Sequence, residues 1–196
     1  MRIIAGAYKG RRLTTPRGDT TRPTADQVRV ALLDTLMPWL PEAHVLDLFA
    51  GAGGVGLEAL SRGAAHVSFV ERDARAVHAL RANVATLDVA HAVRIIRDPV
   101  LRALHALRAE GARFDVVFLD PPYEGDDASA TVEALGDGAL LADGAVVVAQ
   151  HLTKRPPPAS AGALTAFRTR RFGETTLTFF RAGGYDAPSQ SSSQRG

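Results

Sequence analysis

Residues 45–56 read VLDLFAGAGGVG, and this stretch decides the fold. Its first apolar residues, Val45, Leu46 and Leu48, form a run long enough for a buried strand. The glycines that follow force a sharp turn, after which Val55 and the apolar positions beyond it begin a helix. The stretch therefore predicts a strand, a tight turn and a helix in direct succession.

The glycines of this turn have the spacing of a ligand-binding motif. Gly51, Gly53 and Gly56 fit G-x-G-x-x-G, which brings backbone close to a ligand and a helix close to a strand. The spacing is permissive and also fits nicotinamide-dependent oxidoreductases. Two acids make it more specific, because Asp47 lies near the end of the predicted strand and Glu71 ends the next apolar run twenty residues after Gly51. A carboxylate at Glu71 is placed to accept hydrogen bonds from ribose hydroxyls.

Strand-like and helix-like segments alternate on both sides of this motif. Upstream, a helix with Thr24 as its candidate N-cap should end at Pro38. Downstream, apolar strands are predicted at 67–71, 93–96, 114–119 and 145–149, with helices between them, one of them at 131–141. Leu101, Leu104 and Leu107 should line one face of the third helix after the glycine turn. This alternation predicts a parallel sheet covered on both faces.

The C-terminal part breaks the alternation. Two strand-like runs, 164–171 and 175–181, flank Gly173 and should pair as an antiparallel hairpin at the sheet edge. The predicted fold class is therefore α/β, with a Rossmann-like, mostly parallel sheet and a C-terminal antiparallel hairpin. The proline-rich loop 153–163 is assigned no function, and the polar tail 184–196 is expected to be disordered.

Basic residues are concentrated at the N-terminus. The chain carries a net charge of +2, but residues 1–22 hold six bases against Asp19 alone, a local charge of +5. Glycines lie between the apolar residues of this segment. This pattern predicts a small β-hairpin whose bases lie on an exposed ribbon. Such a segment suits a polyanion, whose phosphates bind with release of counterions; a solvated arm without a partner is the alternative.

The composition excludes several classes of protein. The chain has no cysteine, which rules out disulfides and thiolate metal sites, and no metal is expected. No apolar run approaches the roughly eighteen residues that span a bilayer, and the N-terminus lacks the apolar core of a secretory signal. We therefore expect a cytoplasmic protein without a membrane partner. Its 196 residues suit one main domain, and we expect a monomer.

Four acids fall at or near the carboxyl ends of the predicted strands: Asp47, Glu71, Asp98 and Asp120. Ligands of open α/β sheets bind at that rim, where the strand order reverses. The acids would repel one another unless a ligand neutralised them or formed hydrogen bonds to them. A nucleoside with hydroxyls, an amine and a positive sulfonium would do both. The spacing favours Glu71 for the ribose, Asp98 for the adenine amine and Asp47 near the amino-acid end.

The tetrapeptide Asp120-Pro121-Pro122-Tyr123 directly follows the fourth strand. Its prolines remove two backbone donors and stiffen the turn, so the Asp120 carboxylate and the Pro121 carbonyl are preorganised acceptors. Acceptors in this arrangement suit an exocyclic amine. Tyr123 offers an aromatic face for a base removed from its stack. These four residues are the candidate catalytic residues.

Several segments together resemble one family. VLDLFAGAGGVGLEALSRGA, FVERD, FDVVFLDPPY and the N-terminal RIIAGAYKGRRL with TRPTADQVRVALLDTL closely resemble bacterial ribosomal RNA methyltransferases that modify guanine N2 in the small subunit. The resemblance covers residues 1–181, including RFGETTL near the C-terminus. It implies a class I methyltransferase domain at 23–183, preceded by a basic RNA-binding arm at 1–22, and S-adenosylmethionine as the cofactor.

The resemblance also implies roles for particular residues. The implied cofactor-binding residues are Asp47, Phe49, Ala50, Gly51, Gly53, Glu71, Arg72 and Asp98. Residues 120–123 would hold a flipped guanine for direct in-line methyl transfer, without a strong general base. The expected RNA phosphate contacts are Arg2, Lys9, Arg11, Arg12 and Arg22. The family often has an acid after the fifth strand, where this sequence has Gln150 before His151.

Three other functions remain open at this point. A nicotinamide-dependent oxidoreductase would explain the glycines, but neither residues 120–123 nor the basic N-terminus. An adenine-N6 methyltransferase would usually need an extra target-recognition segment, for which this chain has no obvious room. An RNA-binding assembly factor with a vestigial cofactor site would need no catalysis. The substrate itself is predicted to be ribosomal RNA, either naked or in a partly assembled small subunit.

Overall fold

A computed structural model of the chain describes residues 1–16, 23–122 and 125–183. Its helices are α1 (Pro23–Leu36), α2 (Gly54–Ser61), α3 (Ala74–Leu87), α4 (Val100–Ala109) and α5 (Asp127–Leu135). Its strands are β1 (His44–Leu48), β2 (His66–Val70), β3 (Val93–Ile96), β4 (Phe114–Leu119), β5 (Leu141–Leu152), β6 (Ser160–Ala161), β7 (Leu164–Phe172) and β8 (Thr175–Ala182). Within these ranges, no helix is both long and apolar enough to cross a membrane. Arg22, Tyr123 and the predicted tail 184–196 lie outside the described residues.

All eight strands form one sheet in the order β3-β2-β1-β4-β5-β8-β7-β6. The pairs among β1 to β5 are parallel, and β8 lies antiparallel between β5 and β7. The strand order reverses at β1: β2 and β3 lie on one side of it, and β4 and β5 lie on the other. This arrangement confirms the predicted mostly parallel sheet with a C-terminal antiparallel hairpin.

The sheet is covered on both faces, because successive residues of its strands point to opposite sides. Val45 of β1 belongs to the core under α1, α2 and α3, whereas Leu46 belongs to the core under α4 and α5. Val116 and Val117 of β4 divide in the same way. Both faces are therefore apolar, which explains why the strands read as continuous apolar runs.

Several predicted boundaries were wrong. Helix α1 begins at Pro23, so Thr24 lies inside its first turn and does not precede it as an N-cap; proline suits a first helical turn, where its missing N–H is not needed. Helix α5 spans Asp127–Leu135 rather than 131–141, because the chain leaves the helix at Gly136 and begins β5 at Leu141. Strand β5 is much longer than the predicted 145–149.

The N-terminal segment forms a reduced hairpin that is packed against the domain. Its two arms meet at one antiparallel bridge, between Arg2 and Arg12, instead of forming two regular strands. Ile3 and Leu13 are buried in the core beside α1 and α2. The expected exposed ribbon is therefore exposed on its outer side only.

Buried polar groups of α2 hold this segment in place. The two carboxylate oxygens of Glu58, which is 1% exposed, accept hydrogen bonds from the backbone N–H groups of Ile4 and Ala5 at 2.9 and 2.8 Å. The Ser61 hydroxyl accepts one from the N–H of Tyr8 at 2.9 Å. These bonds satisfy backbone donors that would otherwise be desolvated without a partner.

Replacing Gly6 with alanine should detach this segment. A Cβ at Gly6 would lie 1.7 Å from the Ser61 carbonyl oxygen, and Gly6 has a φ of +80°. Gly10 is a matched control, since its φ is +85° and no atom lies within 4 Å of its Cβ position. We expect Gly10→Ala to cost about 1 kcal/mol from the backbone conformation alone, and Gly6→Ala about 2 kcal/mol more from the clash. Urea unfolding measures both, and equal losses would show that the contact is unimportant.

Candidate active site

The glycine turn is shaped by contacts between helix α2 and the strands below it. A Cβ at Gly56 would lie 2.4 Å from Cε1 of Phe69 in β2, so only glycine lets α2 pack this closely. The backbone N–H of Gly56 donates to Oδ2 of Asp47 at 2.9 Å. Asp47 is 2% exposed and thus links the end of β1 to the first turn of α2. The Asp47 side chain therefore stabilises the glycine turn through this hydrogen bond.

The residues after β1 present their backbone at the rim. Phe49 has a φ of +60°, a left-handed conformation that is costly for a residue with a side chain. Gly51 has a φ of +55°, and no atom lies within 4 Å of the position that a side chain would occupy. Its N–H donates to Oε2 of Glu71 at 2.9 Å, while Oε1 accepts from the N–H of Asp73 at 2.8 Å. Glu71 is therefore fixed by backbone donors, and each oxygen keeps a lone pair for a ligand.

A cavity of about 590 Å³ opens at the carboxyl ends of β1 to β4. The predicted site residues that line it are Phe49, Glu71, Arg72, Asp98, Asp120, Pro121 and Pro122. The other predicted cofactor residues, Asp47, Ala50, Gly51 and Gly53, lie in or under the adjoining glycine turn and are not part of its lining. The structure thus gathers three of the four strand-end acids, Glu71, Asp98 and Asp120, and the proline turn around one space.

Burial changes the ionisation of two of these acids. Desolvation raises the pKa of Asp120 to about 7. Desolvation also raises the pKa of Asp47 to about 8; the hydrogen bond from Gly56 opposes this shift, and the nearby charges of Asp120 and Glu71 add to it. Because both values are raised, these groups stabilise the fold at low pH and lose that contribution as the pH rises through about 7 and 8.

Asp98 lies at the far end of the cavity, beside β3. Its Oδ1 accepts a hydrogen bond from Nε of Arg102, one turn along α4. Leu101 was predicted to share one face of this helix with Leu104 and Leu107, but it is 53% exposed and lines the cavity, whereas the other two are buried. The buried face instead carries Val100, Ala103, Leu104 and Leu107. The sequence already distinguishes the two faces. The buried residues have the i, i+3, i+4, i+7 spacing of an amphipathic helix, and Leu101 does not fit that spacing.

Sequence reasoning also missed residues of α5. Asp127, Ala130 and Thr131 line the cavity opposite β1. They went unnoticed because the helix was predicted to begin only at residue 131. With the helix correctly placed, its first turn faces the strand ends.

Four of the five predicted RNA contacts, all but Arg22, lie on the packed N-terminal segment. Arg2, Lys9 and Arg12 are exposed. Arg11 is exposed as well, but Nη2 of its guanidinium donates to the Thr86 carbonyl at the end of α3, at 2.6 Å. Arg11 therefore also fastens the segment to the domain.

The residues that replace the family's acid lie within β5 and do not follow it. Gln150 pairs with Leu177 of β8 and His151 with Thr176. The His151 ring is buried, with Nε2 2.8 Å from the Thr178 hydroxyl and Nδ1 2.8 Å from the Leu152 carbonyl. Since a carbonyl only accepts, Nδ1 carries the proton and Nε2 accepts from Thr178. Burial lowers the pKa of His151, so this ring is neutral and structural.

The cavity suits a cationic nucleoside cofactor such as S-adenosylmethionine. Its volume lies in the range of about 300–1,000 Å³ that is typical of small-molecule sites. Its lining includes four carboxylates, those of Glu71, Asp98, Asp120 and Asp127, against the single guanidinium of Arg72. The open space at Gly51 leaves the backbone accessible. No cluster of side chains that could hold a metal ion occurs in the part of the chain that the structure describes.

Comparison with known proteins supports this interpretation. The chain matches the family described as "Conserved hypothetical protein 95" over residues 1–181. It is 33% identical to the Escherichia coli protein named "Ribosomal RNA small subunit methyltransferase D" over 181 residues, which are 92% of this chain and 89% of that protein. Among solved structures, the Escherichia coli protein yhhF has a TM-score of 0.83 and 33% identity, covering 93% of this chain and 98% of that one.

More distant structures share the fold. SMU.776, solved in complex with SAH, the demethylated form of the cofactor, has a TM-score of 0.68 at 12% identity and covers 83% of this chain and 50% of that one. The predicted methyltransferase fold is thereby confirmed. The chain belongs to the conserved hypothetical protein 95 family, together with relatives named ribosomal RNA small subunit methyltransferase D.

Proposed function

We propose that this protein transfers a methyl group from S-adenosylmethionine to the exocyclic N2 amine of a guanine in small-subunit ribosomal RNA. One observation carries the proposal: Asp120, Pro121 and Pro122 line the same cavity as Glu71 and Asp98. A site for a nucleoside cofactor and acceptors for an amine thus share one space. The names of the relatives support ribosomal RNA as the substrate.

The residues of the site contribute binding and orientation. When bound, S-adenosylmethionine supplies a methyl group that is already strongly electrophilic. Glu71 would accept hydrogen bonds from ribose hydroxyls, and Asp98 would accept one from the adenine amine. Asp120 and the Pro121 carbonyl would accept from the target amine and orient its lone pair, while Tyr123 would stack on the base. Positioning of this kind is worth several kcal/mol, up to about 7–11 in intramolecular reactions.

The exposed bases of the N-terminal segment would contact RNA phosphates. Arg2, Lys9 and Arg12 are free to do so on its outer side, and Arg11 and Arg22 are proposed as further contacts. Such contacts fix the orientation of the RNA without reading its bases. Binding should therefore weaken steeply with salt.

The test is methyl incorporation into small-subunit ribosomal RNA from cells that lack the protein. The labelled RNA is digested to nucleosides and analysed by mass spectrometry, and N2-methylguanosine is expected. N6-methyladenosine would instead support the adenine-N6 alternative. Tight cofactor binding without any incorporation into naked RNA or partly assembled subunits would support a non-catalytic assembly factor.

The raised pKa of Asp120 predicts a pH-dependent rate. Because burial raises this pKa to about 7, the carboxyl is largely protonated below that pH and is then a poorer acceptor for an amine. We expect kcat/KM for RNA to rise with pH to a plateau, with the midpoint of the rise at about pH 7 or lower. The midpoint can fall below 7 because a positive ligand favours the ionised carboxylate. Asp120→Asn should remove this step from the profile. Profiles of the same shape for both proteins would contradict the assignment.

A further inference from the structure

The chain carries a second concentration of positive charge, remote in sequence from the N-terminal segment. Between residues 150 and 175 there are five bases, Lys154, Arg155, Arg168, Arg170 and Arg171, against one acid, Glu174. Lys154 and Arg155 begin the proline-rich loop, and residues 153–158, TKRPPP, are here called the rim loop. The proposed methyl transfer gives this loop no role.

The long strand β5 brings the rim loop to the candidate active site. Leu119, the last residue of β4, pairs with Ala149, and β5 continues for three more residues to Leu152. These residues therefore run past the turn at 120–122. Arg155 lines a small cleft together with Pro121 and Pro122. The rim loop is thus a direct neighbour of the turn that would hold the target base.

Hydrogen bonds hold the beginning of the rim loop in one conformation. The Thr153 N–H donates to the Glu174 carbonyl at 2.7 Å, and the Thr153 hydroxyl donates to the Gly173 carbonyl at 3.2 Å. The Leu152 carbonyl accepts from the Arg155 N–H at 2.9 Å and from the buried ring of His151. Three prolines follow and restrict the backbone further. The charges are therefore presented from a preorganised support.

The charged groups of the rim loop are available for a partner. Lys154 and Arg155 are both exposed. Among the residues that the structure describes, neither side chain forms an ion pair. Arg171, in β7, donates from Nε to the Gly173 carbonyl at 2.9 Å, which keeps it close to the β7–β8 turn that also accepts from Thr153. Arg155, beside the proline turn, and its neighbour Lys154 are two cations that would be complementary to a phosphodiester.

We propose that Lys154 and Arg155 bind the RNA phosphates next to the target nucleotide. The proposal rests on the proposed function, because it takes the base to lie at Asp120. A nucleotide turned out of its stack must have its backbone held while the base enters the site. The rim loop would hold the strand at the mouth of the site, and the N-terminal segment would hold another part of the RNA.

The sequence offers a direct test, because the chain contains two lysines, Lys9 and Lys154. Amine-reactive acetylation followed by mass spectrometry can follow both in one sample, with and without small-subunit ribosomal RNA. The experiment needs no turnover. RNA should protect Lys9 and Lys154 alike, by at least about threefold in rate, and both protections should fade at high salt. Protection of Lys9 with full reactivity of Lys154 would overturn the rim-loop proposal while leaving RNA binding by the N-terminal segment intact.

Substitution tests the energetic contribution. The double variant Lys154→Ala, Arg155→Ala should lower RNA affinity about tenfold at moderate salt and reduce the slope of log K against log salt by about 1.5. Cofactor affinity should not change. Arg155→Lys should keep most of the affinity, since charge suffices for a phosphate contact. Arg81→Ala, which removes an exposed base from α3, is the control and should leave affinity and slope as they are.

The outcomes separate this proposal from the proposed function. If the double variant binds RNA with wild-type affinity and slope, the rim loop is not a contact, although methylation by the wild type would still stand. If the wild-type protein neither binds nor methylates the RNA, both proposals are overturned. A loss of cofactor affinity in the double variant would show that the substitutions disturb the fold of the site, and would also count against a specific RNA contact.

Discussion

Replacing Asp120 with alanine should reduce methyl transfer by about two to three orders of magnitude while leaving cofactor affinity within a few-fold of wild type. The expected loss is that of one preorganised hydrogen-bond partner at a reacting group. The fold should not suffer, since the side chain is a desolvated carboxyl whose ionised form is disfavoured, with a pKa near 7. Single-turnover methylation of RNA, with calorimetry for the cofactor, measures the two effects separately.

Asp127 provides the matched control for this prediction. It is another of the four carboxylates that line the cavity, lies in the first turn of α5 and is exposed. Asp127→Ala also removes one negative charge from the cavity, but not an acceptor beside the proline turn. We expect its rate to stay within a few-fold of wild type. Equal losses in the two variants would mean that the overall negative charge of the cavity matters, and that Asp120 has no special position.

The sequence predicted the sheet and the carboxyl ends of its strands well, because both depend on short stretches of consecutive residues. Strands β1 and β4 are buried on both faces, so their apolar runs are unambiguous, and each run ends at a residue that cannot continue a central strand. The glycines after β1 and the prolines after β4 marked these ends. Strand ends in turn fixed which acids meet at the cavity, because parallel strands bring their carboxyl ends together.

The contacts that complete the site could not be read from the sequence. Glu58 lies on a helix, where an acid is typical of a solvated face, yet it is buried by a segment 53 and 54 residues away. Its partners in that segment are backbone N–H groups, which leave no signature in the side-chain pattern. The position of the rim loop beside the site was not predicted, because Gln150 and His151 interrupt the apolar run and β5 was expected to end at residue 149. Cross-strand pairing with β8 overrides that local signal.

Replacing Glu58 with alanine should lower the free energy of unfolding by about 3 kcal/mol, as much as Gly6→Ala. The substitution would leave the N–H groups of Ile4 and Ala5 without their acceptors and would remove the 3.3 Å ion pair between Glu58 and Arg62. Losing one member of a buried charged network typically costs about 3–5 kcal/mol. Urea unfolding followed by the fluorescence of Trp39, the single tryptophan, measures the change.

Two further variants show whether the loss of stability comes from the hydrogen bonds between Glu58 and the N-terminal segment. Glu58→Gln keeps one acceptor oxygen but turns an amide group toward the other N–H, so its loss should be intermediate, about 1.5–2 kcal/mol. Glu133→Ala removes an exposed glutamate from α5 and should change stability by less than about 0.5 kcal/mol. RNA affinity should fall in the Glu58 variants in the same order as stability, because the bases of the N-terminal segment are held in place by this carboxylate. If Glu58→Ala lost less than 1 kcal/mol, or lost stability with RNA affinity unchanged, the packed N-terminal segment would not be what orients these bases.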